Sequence, residues 1–216
     1  MFGPAARNRT LGVLASEAVN PDVSRRLLAC NGSGLHADVL AVAPYFTPAM
    51  TRGNSRRDSD VLTLDAMFNA SAESEWAFVD RYMRGHKEAA DQYGLQLMLY
   101  ESGTGLVNEN SIVQTALAIA YNRDPRVEQV LRNYTESMLS RLGVSRMMYF
   151  SHVGLPSRYG SWGIIESLDQ APADAPKLRG LLAAASALAP SQCRDAGTHW
   201  GRALWQGAAF SGQVER

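Results

Sequence analysis

The stretch Leu95-Gln96-Leu97-Met98-Leu99-Tyr100-Glu101-Ser102-Gly103 sets an apolar run directly against an aromatic ring, a carboxylate and a small turn. A run of roughly five to eight apolar residues bounded by turn signals fits a strand covered on both faces, as in parallel α/β sheets. Such a strand delivers whatever follows it to the rim of the sheet. In α/β barrels and open α/β sheets the active site lies at the C-terminal ends of the strands. Glu101 is therefore read in two ways, as a catalytic group or as a solvated strand-end acid, because strand ends are polar by default.

Working outward, residues 10–16 (TLGVLAS) read as a first strand that stops before Glu17 and the Asn20-Pro21 turn. Asp22 opens a helix with apolar Val23, Leu27 and Leu28, closed by Asn31-Gly32-Ser33-Gly34. Residues 38–45 (DVLAVAPY) form the second predicted strand, and Pro44, with no amide hydrogen, is expected to end its pairing. Residues 47–72 read as one long surface loop, of the kind that is usually functional or mobile. A helix over 71–93 follows, with Trp76, Val79, Met83, Ala90 and Tyr93 on one face, Ser71, Glu73, Ser74 and Glu75 in its first turn, and Gly94 at its end. After the opening stretch, Asn108 is expected to cap a helix striped by Ile112, Val113, Ala116, Leu117 and Ala120, and a second helix runs from Asp124-Pro125 to Gly143. Residues 146–152 (RMMYFSH) are the fourth strand, and 177–188 the last helix. The tail over 191–216 has no strand partner and reads as an appended remnant, a docking helix or a disordered end.

Composition narrows the function classes. With 216 residues, 46% of them hydrophobic, and 21 basic against 21 acidic side chains, the expectation is a single domain with one substantial core. The charge balance leaves no footprint for nucleic acid or an anionic membrane. No segment approaches the roughly 18 apolar residues of a membrane span, and Met1-Phe2-Gly3-Pro4 lacks the regions of a signal peptide, so the compartment stays open. Cys30 and Cys193 match no metal spacing and read as inert, partly buried thiols rather than a disulfide. His36, His86, His152 and His199 are scattered, and neither a metal centre nor another cofactor is expected. His86, on the predicted 71–93 helix, reads as a packed or solvated side chain.

Four strands that alternate with helices require parallel pairing through right-handed βαβ crossovers. Four units are too few for an eight-stranded barrel of about 250 residues, so the fold class is α/β with a parallel sheet, either open or half of a barrel. Both arrangements put Glu17, Tyr45, Glu101 and His152 on one rim.

The order of four short motifs carries a resemblance: APYF after one strand, LYESG after the next, YFSH after the last, then RYGSWGIIES before a closing helix that begins PKLRGLL. Over residues 9–188 this order resembles the carboxy-terminal half of retaining glycoside hydrolases with a TIM barrel. The resemblance implies that residues 1–190 are strands five to eight of a (β/α)8 barrel, with residues 191–216 outside it. It implies that Glu101, at the end of the seventh strand, is the nucleophile, with Ser102 where the family carries a glycine, and that Trp162 is the ring on which a sugar stacks. Retaining chemistry needs a second carboxyl about 5 to 5.5 Å from the first. In the family that acid follows the fourth strand, which would precede this chain's first, so Glu17 is an out-of-register substitute, a subsite hydrogen bonder or a structural residue.

Tyr45, Tyr100 and Trp162 offer faces to sugar C–H groups. Phe46 reads as core, and His152 as a bonder of a substrate hydroxyl or a buried, satisfied histidine. Three functions stand at this point. The first is a hydrolase half acting on a carbohydrate substrate. The second is a carbohydrate-binding or scaffold domain without catalysis. The third is a phosphate-binding enzyme using Gly103-Thr104-Gly105 ahead of the Asn108 helix, which lacks the P-loop lysine. Half a barrel also exposes two sheet edges, which implies self-association or a partner half.

Overall fold

The computed structural model describes residues 10–50, 57–70, 76–107 and 111–192. Within them lie the strands β1 (Val13–Ala15), β2 (Val39–Val42), β3 (Tyr45–Phe46), β4 (Gln96–Leu99), β5 (Gly103–Thr104) and β6 (Arg146–Met147). The α-helices are α1 (Pro21–Ala29), α2 (Leu64–Ala70), α3 (Trp76–Gln92), α4 (Ile112–Arg123), α5 (Val127–Glu136) and α6 (Pro176–Gln192). The main sheet has the order β1-β2-β4-β6 with every pair parallel, and β3 pairs with β5 in a two-stranded extension.

The direction in which this sheet grows decides where its core lies. Side chains alternate along a strand, so Leu40, Val42, Leu97 and Leu99 share one face. They form a single buried cluster with Leu28 of α1, Met67 of α2, Met83 of α3, Tyr121 of α4 and Leu131 of α5. The opposite face carries a separate small cluster of Val39, Ala41 and Met98. Right-handed crossovers that always step the same way lay every helix on the same side. A doubly wound sheet would reverse at a switch point and cover both faces. This sheet has no reversal, and its helical layer is one-sided.

The strands are shorter than the apolar runs that encode them. β6 stops at Met147, although Met148 N still donates to Leu99 O and Phe150 N to Ser102 O, so the chain follows β4 without a regular ladder. Pairing does not end at Pro44, because β3 resumes it one residue later. The stretch read as a long loop contains α2, whose Met67 is fully buried and whose Phe68 stacks on Tyr121 at 4.3 Å. Arg126 lies over the same Phe68 ring, 4.1 Å from its centroid. Seven residues give too little periodicity to announce such a helix.

Ser111 rather than Asn108 caps α4, its hydroxyl accepting from Gln114 N at 3.2 Å, and Asn108 lies outside the described residues. The inward face of α4 is Ala118, Tyr121 and Asn122, whereas Ile112 is 89% and Val113 47% exposed. The helix is apolar nearly all round, so sequence alone could not orient it, and the Phe68–Tyr121 stack does. The predicted 124–143 helix is α5 followed by a π-helical turn, Ser137–Arg141. Cys30 is an exposed free thiol rather than a partly buried one, and Cys193 lies outside the described residues, as do the predicted first turn of the 71–93 helix and most of the tail. No described helix is long and apolar enough to cross a membrane.

Of the two readings of His86, packed or solvated, the structure shows the packed one. It is fully buried on α3, its Nε2 donates to Ala18 O at 2.9 Å, and its Nδ1 accepts from the Ser24 hydroxyl at 2.9 Å. The Ser24 and Ser16 hydroxyls lie 2.7 Å apart, so the network ties β1 to α1 and α3. Burial holds the His86 imidazolium below its ordinary 6.5. The unfolded chain therefore takes up this proton first as pH falls, and stability is lost below about pH 6.5. Urea unfolding at pH 7.5 and 5.5 is expected to show this loss, and a His86→Gln variant, less stable at pH 7.5, should lose less on acidification. Equal losses in both proteins would contradict the assignment.

Candidate functional site

The rim is shaped by one surplus residue. Val42 pairs with Leu99, and the next pair along the same two chains is Tyr45 with Gly103. Three steps on one chain thus face four on the other, so the segment from Tyr100 to Ser102 bulges. A bulge breaks the pleat and re-aims the side chains it carries. Tyr100 is 42% exposed, Glu101 is half-buried, and Ser102 is fully buried with its hydroxyl donating to Met148 O at 2.6 Å. Ser102 is therefore engaged with the neighbouring chain rather than with the rim. Gly103 closes the bulge at φ 126°, and a Cβ there would fall 2.6 Å from the Tyr149 ring, so only glycine fits.

The Tyr45 hydroxyl donates to Glu101 Oε2 at 2.8 Å. Burial, and after it the hydrogen bond to the Glu101 carboxylate, push the Tyr45 phenol well above the ordinary tyrosine range, so it stays a protonated donor. Among the described residues Glu101 Oε1 has no hydrogen-bond partner. Trp162 meets the Tyr45 ring edge-on at 5.3 Å and the Phe150 ring at 5.7 Å, and its Nε1 donates to Tyr159 O at 3.0 Å. The result is a carboxylate, a phenol and an indole in one contiguous patch at the C-terminal ends of the strands.

Of the residues singled out by sequence, Tyr45, Glu101 and Trp162 are brought together, and Tyr100 flanks them. Tyr159 is exposed beneath the Arg158 guanidinium. His152 is exposed, its carbonyl accepting from Ile165 N at 3.1 Å, so the buried-histidine reading is set aside. Glu17 is exposed and acts electrostatically on His86 on the helical side of the sheet, with no hydrogen bond to Tyr45 or Glu101. Glu166 is locked to Arg123 through two bonds of 2.7 Å. Among the described residues no second carboxylate bonds to the Tyr45–Glu101 pair, and no cluster of three or more His, Cys, Asp or Glu could hold a metal ion.

The backbone of the turn lends the phosphate reading no support. Thr104 N donates to the Tyr149 hydroxyl, Gly105 N to Phe46 O and Val107 N to Gly105 O, so these three amides are engaged. Moreover, α4 begins only at Ile112.

Two residues of the rim were missed by sequence reasoning. Phe150 was read only as part of a strand, although its place in YFSH put it at the rim. Lys177 was placed only as the first residue of the last predicted helix, yet it is 3% exposed, and its Nζ donates to Ser161 O at 2.6 Å and Gly163 O at 3.1 Å. No sequence signal marks a lysine whose partners are backbone carbonyls.

Comparison of the chain with protein-family models, with curated proteins and with solved structures gave no match.

Burial pushes the Lys177 ammonium down from 10.5 to about 7. Above pH 7 the unfolded chain keeps a proton that the folded chain releases, so this group's contribution to stability rises with pH up to its unfolded value. Wild-type stability is expected to gain on the order of 2 kcal/mol from this group between about pH 7 and 9. Guanidinium unfolding of a Lys177→Met variant should show that gain abolished, and an unchanged dependence on pH would rule out the buried amine as its source.

Proposed function

We propose that this chain is the carboxy-terminal half of a (β/α)8 barrel from a retaining glycoside hydrolase that acts on a β-linked glycan, with Glu101 as the nucleophile. The observation that carries the reading is the Tyr45–Glu101 hydrogen bond of 2.8 Å beside the Trp162 ring. The sheet supports it, since four parallel strands in sequential order with helices on one side are wound as a barrel segment is.

In this reading Tyr45 holds one carboxylate oxygen and leaves Oε1 to attack the anomeric carbon. The glycosidic C–O bond breaks as the ester forms, and the departing oxygen takes a proton from an acid that lies outside this half. Trp162 and Tyr100 supply faces for the sugar C–H groups, and exposed His152 is a contact to a substrate hydroxyl. The missing acid and the two edge strands, β1 and β6, which pair on one side only among the described residues, are met together by a partner half. Exposed Leu11 and Val13 beside one edge and Met148 and Phe150 beside the other are the apolar groups it would cover.

A second reading is a carbohydrate-binding or scaffold domain without catalysis, favoured by the single carboxylate at the Tyr45 hydroxyl. Hydrolysis of an aryl β-glycoside with a good leaving group, which needs little acid assistance, separates the two. Glu101→Gln is expected to lower turnover by at least about a thousandfold while keeping glycan binding. Tyr45→Phe should lower kcat roughly ten- to a hundredfold, the worth of one charge-assisted hydrogen bond. Trp162→Ala should weaken glycan binding about tenfold. Binding that is lost in Trp162→Ala but accompanied by no Glu101-dependent turnover would establish the second reading instead.

A further inference from the structure

The indole at this rim sits on an irregular segment, so something other than a strand must fix it. Its flanking residues are Ser161 and Gly163, and the carbonyls of both accept from one amine, Lys177 Nζ, at 2.6 and 3.1 Å. On the other side, Ser151 N donates to Trp162 O at 3.1 Å and Ile164 N donates to Ser151 O at 2.8 Å. Gly163 is pressed so closely that a Cβ would fall 2.4 Å from Ile165 O and 2.5 Å from Gly154 N. The backbone of Trp162 is therefore gripped between the chain after β6 and the first turn of α6.

We propose that Lys177 is a positioning residue for Trp162: its amine, reaching from the first turn of α6, clamps the two carbonyls on either side of the indole and so holds the ring where a sugar stacks. Lys177 makes no ion pair among the described residues, and the neighbouring Glu166 is already bound to Arg123. A buried lysine without a carboxylate partner is a costly choice for packing alone, since a methionine of similar reach would fill the space without a charge to desolvate. What methionine cannot do is donate to the carbonyls. The polar end is explained by the clamp.

The inference rests on the glycan reading for its function but not for its geometry, and the test keeps the two apart. The full chain is labelled with 5-fluorotryptophan, the Trp162 resonance is assigned through Trp162→Phe, and KM and kcat for an aryl β-glycoside are measured alongside. In Lys177→Met the Trp162 resonance is expected to shift or broaden, and KM to rise about tenfold with kcat little changed, as loss of uniform binding requires. Lys177→Gln, which keeps a shorter donor, should fall between, and it serves if the methionine variant does not fold. Arg179→Met, which breaks the α6–α5 ion pair of Arg179 with Glu128, is the control: stability drops while the Trp162 resonance and KM stay put. An unmoved Trp162 resonance in both Lys177 variants overturns the proposal. A moved resonance in a chain that neither binds nor turns over glycan upholds the clamp and overturns the glycan reading.

Discussion

Between the pairs Val42–Leu99 and Tyr45–Gly103 one chain carries a residue more than the other, and the sheet absorbs it by bulging at Tyr100–Ser102, where the Tyr45 hydroxyl takes hold of Glu101. The flanking contacts follow from that mismatch. Ser102 is buried with its hydroxyl on Met148 O, and Gly103 adopts a backbone conformation that only glycine accepts beneath the Tyr149 ring. Remove the surplus residue and Glu101 would fall back into the alternation of β4.

The core supports this rim through particular side chains. Tyr134, fully buried on α5, donates to Pro44 O at 2.6 Å, fixing the chain at the step from β2 to β3 that presents Tyr45. Phe46, next in line, packs against the same Tyr134 ring at 5.0 Å. One helix thus holds the backbone that aims the phenol, while α6 holds the backbone that carries the indole. Both contacts reach the rim from helices, α5 through Tyr134 and α6 through Lys177.

Much of this was legible in the sequence, and what was not has physical reasons. VLAV and QLML announce buried strands because both faces are apolar, and Glu101 and Tyr45 were placed on a common rim because each follows such a run. The bond between them was not legible, since it depends on a register offset between chains that no single strand encodes. The inward face of α4 was misread because Ile112 and Val113 are as apolar as the residues that turn inward, and only the stack of Phe68 on Tyr121 orients the helix. α2 escaped because seven residues carry less than two full turns of pattern. Lys177 escaped because a lysine bonded to carbonyls looks, in sequence, like any surface lysine.

The central proposal is that Glu101 acts as a nucleophile held by Tyr45, and covalent capture tests it most directly. A 2-deoxy-2-fluoro β-glycoside with a dinitrophenolate leaving group forms its glycosyl ester without an acid catalyst and hydrolyses slowly. Incubated with this chain, it should add one fluorosugar to the intact mass, mapped by peptide sequencing to Glu101 and formed more slowly in Tyr45→Phe. No adduct at any concentration of reagent, or an adduct that persists in Glu101→Gln, would contradict the account.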